Sequence, residues 1–440
     1  MNRTEYINKQ IEILFKPLYI RLTIILMVLS YFYNLPVLKY SIKGDNEFRL
    51  YDIVGFIVLC FVLMNRSFII NYINTKSYLK YLNTFILWCG FSLIFTAIFS
   101  FFKGRPLWFI QTCLYYYHFL VFFFTAVLVS MYLRNSKKYK IVATLVLLLT
   151  IAESILVFSQ HYGLVPFLWN DTYREAYGGF ISGTLGPNKI VLGMIMFMSL
   201  TFSLGLFFQR QIKVNRLLII ISIITSFAVV GISGSRTTYL ALIVFSCYLF
   251  ISKTKKFLVV SVLISIAIII GFFFNLELID TIVETFENRV VNKVSAPTLT
   301  GTNLDVGQLY EDLGSGRSRL SLIYLKYLFS NIYVVPIGIG LNNRLLIGYS
   351  AHNIYLSLIN EVGLVGLFLY FKWLTSYLYL KFGKADFLKL ALNGLIIAML
   401  VTLFFGEHLY IYRPLFGILG YFLLITILLI APRYYLKNEK

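Results

Sequence analysis

Charged residues are scarce in this chain: they make up 13% of its 440 residues, whereas a soluble globular protein carries about 25%. Hydrophobic residues make up 59%. Apolar stretches long enough to cross roughly 30 Å of hydrocarbon as helices recur along almost the whole length, without the two-residue alternation of a membrane β-barrel. The composition therefore excludes an ordinary soluble protein and predicts a polytopic, all-α membrane protein.

Cysteine is also scarce, and a cleavage signal is missing. The four cysteines all lie inside apolar stretches and lack the spacing of a metal site, so we expect inert packing residues. No small-residue cleavage site follows the first apolar stretch, which predicts an uncleaved first span rather than a signal peptide. We find no internal repeat and expect residues 1–440 to form a single polytopic membrane domain.

Acidic residues are half as frequent as basic ones, 19 against 39, which gives a net charge of +20. The basic residues collect in short connections between apolar stretches, so no nucleic-acid partner is expected. The positive-inside rule assigns these connections, and with them both termini, to the cytoplasm. They contain Arg66, Lys76 and Lys80; Arg134, Lys137, Lys138 and Lys140; Arg210, Lys213 and Arg216; Lys253, Lys255 and Lys256; Lys381, Lys384 and Lys389; and Arg433, Lys437 and Lys440.

The apolar stretches predict about twelve spans. They fall near residues 18–33, 52–65, 81–101, 110–133, 140–160, 189–208, 216–232, 237–252, 257–274, 354–375, 388–407 and 414–431. Two connections on the predicted outer side are long, 161–188 and 275–352, and the second precedes the tenth span. Within it, 281–294 looks helical, and apolar residues at helical spacing over 320–328 predict a segment at the membrane surface or packed on the bundle.

Arginines stand at two glycine-containing places on the predicted outer side. Arg236 follows the turn-like run 231–235, and an arginine at that depth needs water or an anionic partner; the alternative is a snorkelling arginine in a tight turn. Arg317 and Arg319 precede the surface segment, where glycines and a helix N-terminus favour an anion; the alternative is a solvated loop. A planar guanidinium suits phosphate better than an ammonium does.

Histidine is rare, with four in the chain, and His352 stands where a polar loop enters the apolar run that begins at residue 354. Its ordinary pKa of about 6.5 suits proton transfer near neutral pH; the alternative is a cap or packing role. Asn353 follows it. Glu361 lies about two and a half helical turns further on, where it would either orient the site or satisfy a neighbouring helix.

Asn188, His118 and His161 are the other polar residues beside or within apolar runs considered as candidates. Asn188, at the start of the sixth predicted span, is expected to cap that helix, with a place in the site as the alternative. His118 and His161 stand in contexts that suggest no role.

The predicted topology brings Arg236, Arg317, Arg319 and His352 to the outer side. Nucleotide-activated donors are cytoplasmic, so an outward-facing reaction with arginines and a base suggests a donor carried through the membrane, such as a lipid-linked diphosphate. The outer connections contain no Asp-x-Asp motif to hold a metal with a diphosphate, and arginines would neutralise the leaving group instead. We therefore expect neither a metal nor a cofactor.

Several motifs occur together between residues 183 and 366. The most specific is Ala351-His352-Asn353-x-Tyr355-Leu356, continued by Glu361-x-Gly363-x-x-Gly366. Ser235-Arg236-Thr237, Ser315-Gly316-Arg317, Pro336-x-Gly338-x-Gly340 and the segment around Asn188 accompany it. With these motifs the chain resembles the O-antigen ligase and Wzy-type polymerase group of bacterial surface-polysaccharide enzymes. An aromatic residue after the Ser-Gly-Arg element is matched only approximately, by Tyr324 or Tyr327, so the resemblance does not decide between Arg317 and Arg319.

The resemblance implies a GT-C-like helical fold and a metal-independent, inverting glycosyl transfer from a glycan on undecaprenyl diphosphate to a glycan acceptor. Arg236 and Arg317 would bind the diphosphate, and His352 would act as general base on the acceptor hydroxyl. Further substrate contacts would come from Arg319, Asn188, Asn353 and Glu361. It also implies a bacterial cytoplasmic membrane, a site facing outward, contact with membrane lipids, and a chain-length regulator and a flippase as partner proteins.

Three functions stay open on the sequence. A polymerase joining lipid-linked repeat units into O-antigen, capsule or exopolysaccharide is favoured. A ligase moving a finished glycan onto a lipid A core or another acceptor uses the same donor chemistry. A transporter of lipid-linked sugars would be expected to show inverted repeats and charges near the bilayer midplane, whereas the candidate residues here collect at one membrane face.

Overall fold

The computed structural model describes residues 3–39, 47–169, 181–186, 188–253, 283–285, 287, 317–342, 350–383, 386–411 and 416–436. Its helices are α1 (Arg3–Leu14), α2 (Leu18–Ser30), α3 (Leu50–Met64), α4 (Arg66–Asn74), α5 (Ser77–Phe102), α6 (Pro106–Tyr132), α7 (Ser136–His161), α8 (Lys189–Phe208), α9 (Arg216–Ile232), α10 (236–253), α11 (Arg317–Ser330), α12 (Val334–Ile337), α13 (Ile354–Ser376), α14 (Asp386–Thr402) and α15 (Phe416–Ile430). A 3₁₀ turn, Ala431–Tyr434, follows α15.

The described residues confirm the all-α fold class, with one short feature that was not predicted. Strands β1 (Pro36–Lys39) and β2 (Glu47–Arg49) pair antiparallel between α2 and α3. Strands of three and four residues are too short to leave a two-residue periodicity in the sequence, so the ribbon escaped prediction. The rest of the described chain forms helices and their connections.

Six described helices are long and apolar enough to cross a membrane: Ser77–Phe102, Pro106–Tyr132, Ser136–His161, Lys189–Phe208, Ile354–Ser376 and Gly417–Tyr434. The pair α3 and α4, bent by 91°, would count as a seventh span. Helices α2 and α9 are apolar but shorter. The chain is therefore a helical membrane protein. The total of about twelve spans stays a prediction, and the predicted span 257–274 lies outside the described residues.

The outer face of α5 shows how the bundle meets lipid. Large apolar side chains recur there every three or four residues and are exposed, which is the spacing of one helix face. They are Leu87, Phe91, Ile94, Ile98 and Phe101. A stripe of this kind would be unfavourable in water, whereas hydrocarbon removes the cost, so this face of α5 fits a lipid environment.

Helices α8 and α15 form the centre of the bundle. α8 is buried on all sides along most of its length, as expected for a helix that is apolar all round. It packs against α7, α9, α14 and α15, and α15 also packs against α6. A hydrogen bond of 2.6 Å between the Ser199 and Tyr421 hydroxyls joins the two central helices.

Predicted and observed helices agree best where a polar cap precedes the apolar run. The spans predicted at 189–208 and 216–232 are confirmed as helices with those bounds, and asparagine side chains cap both. The prediction for 388–407 was wrong at its C-terminal end, because α14 ends at Thr402. Residues 403–411 leave the helix and form a buried connection instead.

The surface segment packs on the bundle, the second of its two predicted placements. α11 contacts α13, and the Tyr324 ring is fully buried. Leu328, Val334 and Ile339 form a small apolar cluster beside it. Of the helix predicted over 281–294, residues 283–285 and 287 are helical, and the others lie outside the described residues.

Candidate functional site

His352 occupies a strained turn immediately before α13. Its φ angle is +48°, in the left-handed region that Asn and His enter more readily than most other residues, yet still at a cost of about 1–2 kcal/mol. Its side chain is exposed. The following residue, Asn353, is the helix cap: its side-chain oxygen accepts from the backbone N–H groups of Tyr355 at 3.0 Å and Leu356 at 3.3 Å. The cap alternative for His352 is therefore wrong, and Asn353 takes that role.

A buried carboxylate secures the chain on both sides of His352. The Ser350 hydroxyl donates to one oxygen of Glu407 at 2.5 Å, and the Ser357 hydroxyl donates to the other. Glu407 is 4% exposed. In addition, the Ile354 N–H donates to the Leu403 carbonyl at 3.0 Å. These bonds tie the turn to the 403–411 connection, which compensates for the strain at His352.

We expect the Glu407 bridge to contribute measurably to stability. Replacing Ser350 and Ser357 together by alanine leaves a buried carboxylate without two of its donors, which should lower the free energy of unfolding by about 1–3 kcal/mol. Thermal unfolding in detergent measures the change. Ser376→Ala in the same helix is the matched control, because the Ser376 hydroxyl donates only to the Trp373 carbonyl of its own helix. Equal stability of the double variant and the control would contradict the bridge.

Arg236 begins α10 immediately after a serine turn. Gly234 has a φ angle of +60°, and Ser235 caps the helix by accepting from the Thr238 N–H at 3.4 Å and hydroxyl at 2.9 Å. The Arg236 side chain is half-buried. The helix end that carries Arg236 is therefore fixed by the hydrogen bonds that Thr238 donates to Ser235.

The 403–411 connection brings the Arg236 and His352 segments to the same part of the bundle. Gly406 lies next to Thr237 and His408. A Cβ built on this glycine would be 3.8 Å from the Thr237 methyl group and 2.9 Å from Nδ1 of His408. His408 in turn lies 3.1 Å from the Thr402 hydroxyl through Nε2. The Leu403 carbonyl of the same connection accepts from the Ile354 N–H, so the first turns of α10 and α13 both contact this connection.

The two glycine motifs pack against each other. α13 is interrupted at Gly363, where φ is +69° and ψ is −175°, and the segment 336–340 crosses this break. A Cβ at Gly363 would overlap the backbone of Pro336 and Ile337, and a Cβ at Gly338 would overlap the backbone of Glu361. The motifs thus have a structural function: they let two stretches of backbone touch.

Three carbonyl groups at this break find donors within the protein. The Ile339 N–H donates to the Asn360 carbonyl at 2.8 Å, and the Gly340 N–H donates to the Glu361 carbonyl at 2.9 Å. The Trp88 indole N–H donates to the Val362 carbonyl at 2.8 Å. Irregular backbone at membrane depth needs such partners, so the contact is expected to be a fixed part of the fold.

Glu361 lies inside the bundle, with no exposed surface. Its carboxylate lies near Cys89 of α5 and Tyr410 of the 403–411 connection. This placement agrees with the alternative that Glu361 satisfies neighbouring helices. Its predicted contact with substrate stays a prediction.

The remaining predicted residues belong to α8 and α11. Asn188 caps α8 by accepting from the Ile190 N–H at 2.8 Å, as expected. Arg317 is the first described residue of α11, and its side chain lies outside the described part of the structure. Arg319 is exposed on the same helix. α11 packs on α13, so both arginines belong to an element that contacts the His352 helix.

Two buried polar pairs were missed on the sequence. Nε2 of His118 lies 2.6 Å from Oδ1 of Asp52, joining α6 to α3, and Nδ1 faces the Leu114 carbonyl at 2.7 Å. Glu153 of α7 accepts from the N–H and the hydroxyl of Thr184, both at 2.7 Å. The available signal was an ionisable residue within or beside an apolar run. No role was predicted for His118, whereas the structure shows it as a link between two helices.

No protein-family model, curated protein or solved structure matches this chain. A function must therefore be argued from the sequence motifs and from the geometry around His352, Arg236 and Glu407.

Proposed function

We propose that this chain is a membrane glycosyltransferase that polymerises undecaprenyl-diphosphate-linked oligosaccharide repeat units into a bacterial surface polysaccharide. One observation supports this best: His352 presents an exposed imidazole at the start of α13, on a strained turn that Glu407 and Asn353 secure. Strained backbone conformations cluster at functional sites, where the surrounding structure holds them in place. The proposal also places this end of the bundle on the outer side of the bacterial cytoplasmic membrane.

The proposed reaction is an inverting transfer without a metal. His352 takes the proton from a hydroxyl of the acceptor glycan, and that oxygen attacks the anomeric carbon of the donor. The bond between the anomeric carbon and the diphosphate oxygen breaks, and undecaprenyl diphosphate leaves with the bonding electrons. Arg236 and Arg317 neutralise the charge that develops on the diphosphate, and the fixed helix starts orient the reactants.

Arg236 provides a test of the diphosphate contact. Arg236→Lys keeps the charge but loses the planar fork, so we expect transfer to fall roughly tenfold to a hundredfold, the range of one or two hydrogen bonds to a charged group. Transfer in isolated membranes, with lipid-linked repeat units as donor, is the measurement. Arg105→Lys is the matched control, because Arg105 is exposed in the connection between α5 and α6. Full activity of Arg236→Lys would argue against direct contact.

The kind of transferase is tested by deleting the gene and comparing lipid-linked with surface glycans. Loss of a polymerase should leave single repeat units. Long lipid-linked chains that never reach their acceptor would instead identify a ligase, and donors trapped on the cytoplasmic side would identify a transporter. Either of the last two results would overturn the proposal.

A further inference from the structure

Three cations converge at the end of the bundle opposite His352. The Lys76 ammonium lies 4.5 Å from the centre of the Tyr434 ring, and the guanidinium carbons of Arg134 and Arg433 lie 5.4 and 4.8 Å from it. Nη2 of Arg433 also donates to the Tyr434 hydroxyl at 2.8 Å. The cations come from three separate elements: the turn between α4 and α5, the turn between α6 and α7, and the 3₁₀ turn.

Two buried tyrosines near the cations join the surrounding helices to one another. Tyr72, whose ring lies 5.8 Å from the Lys76 ammonium, contacts the Ser130 hydroxyl at 3.0 Å, and Tyr78 contacts the same hydroxyl at 3.2 Å. Both tyrosines are buried. α4, α5 and α6 are thereby joined near the cations, which fixes the helix ends beside Lys76 and Arg134 relative to one another.

No carboxylate balances these charges in the part of the chain that the structure describes, where the ion pair found is that of His118 with Asp52. All three cations are half-buried. Burial lowers the pKa of the Lys76 ammonium; Tyr434 opposes this decrease, and the nearby Arg134 and Arg433 add to it. The three positive charges surround one ring and repel one another, so an anion bound among them would reduce the repulsion.

We propose that Lys76, Arg134, Arg433 and Tyr434 form a binding site for a phosphate group. Guanidinium forks suit phosphate oxygens, and basic pockets between the cytoplasmic ends of membrane helices bind anionic phospholipid headgroups. α15 and α6 end at this place and α5 begins there, so a headgroup at the edge of the bilayer reaches it. Free phosphate has the same chemistry. The site is separate from the His352 end and does not depend on the proposed transferase activity.

The test is a binding titration of the purified full-length protein in detergent micelles. Added phosphatidylglycerol should raise the temperature of thermal unfolding, as a ligand of the folded state does, and phosphatidylcholine should raise it less. The triple variant Lys76→Gln, Arg134→Gln, Arg433→Gln should bind phosphatidylglycerol at least about tenfold more weakly, since each cation near an anionic lipid contributes about fivefold. A titration with inorganic phosphate at constant ionic strength distinguishes a free anion from a lipid as the natural source.

The matched control is Arg66→Gln, Lys137→Gln, Arg216→Gln. It removes the same charges from the same end of the bundle, but at exposed positions. Its phosphatidylglycerol affinity should stay within about twofold of the unchanged protein, since a charge outside the cluster contributes less. Equal loss in both triple variants, or no response to either phosphatidylglycerol or phosphate, would overturn the site. If the triple glutamine variant fails to fold, the single variants Lys76→Gln, Arg134→Gln and Arg433→Gln are titrated instead, and unchanged phosphatidylglycerol affinity in all three would equally count against the cluster as a phosphate site.

Discussion

Replacing His352 by alanine is expected to lower glycan transfer roughly a hundredfold to ten-thousandfold, the contribution of a general base. The imidazole is exposed at the start of α13, and its turn is fixed by the Glu407 bridge and by the Asn353 cap. A deletion strain complemented with the variant should display single repeat units in place of long surface chains. Quantification of the protein in the membrane must accompany this measurement, so that lost transfer is not mistaken for lost insertion.

A second substitution, His352→Asn, separates the effect of losing the imidazole from the effect of straining the backbone. Alanine enters the left-handed region at a cost of about 1–2 kcal/mol, whereas asparagine accepts the φ angle of +48° more readily. His352→Asn should therefore fold like the unchanged protein and still lack transfer. Near-normal transfer by His352→Asn would remove His352 from the role of base, and recovery with asparagine but not alanine would show that the turn matters rather than the proton.

The second large effect is expected at the crossing of the broken helix. Gly363→Ala would drive a Cβ into the backbone of Pro336 and Ile337, and Gly338→Ala would drive one into the backbone of Glu361. Backbone atoms cannot rotate away as a side chain can. The free energy of unfolding of each variant should therefore fall by about 4 kcal/mol or more, which is exceptional for one substitution. A lower yield of folded protein and a lower unfolding temperature in detergent would show it.

Gly104→Ala is the matched control for this prediction. Gly104 has a φ angle of +64°, close to that of Gly363, but a Cβ there would meet nothing within 4 Å. It therefore carries only the cost of the left-handed conformation, about 1–2 kcal/mol. If Gly363→Ala were no more damaging than Gly104→Ala, the close approach of the two backbones would be refuted.

Much of the helical layout could be predicted because a bilayer imposes it. A continuous apolar run flanked by a capping residue reads directly as a helix, and α8 and α9 have the predicted bounds. The break at Gly363 could not be located in this way. Glycine is tolerated in membrane helices, and the donors for the carbonyl groups that the break exposes come from distant parts of the chain, segment 336–340 and Trp88 of α5.

The candidate site was predictable in part, for a similar reason. His352, Arg236 and Asn188 stand at helix starts, and the change from polar loop to apolar run marks helix starts in the sequence. No such change from polar loop to apolar run identifies Glu407, because the predicted span 388–407 placed this residue at the end of a helix. Its contacts with Ser350 and Ser357 join residues more than 45 positions apart, and that separation is bridged only when α13 and α14 pack together.

The sequence by itself determined that the chain is a helical membrane protein, where most of its helices run, and which titratable residues stand at their ends. These features follow from local apolar length, capping and charge. The tertiary structure alone decided that the 403–411 connection contacts the segments that carry Arg236 and His352 and that two glycine motifs form one backbone crossing. It also decided that Lys76, Arg134 and Arg433 surround a single tyrosine. Such contacts depend on which helices are neighbours, and apolar stretches that lipid and protein accept equally well do not specify their neighbours.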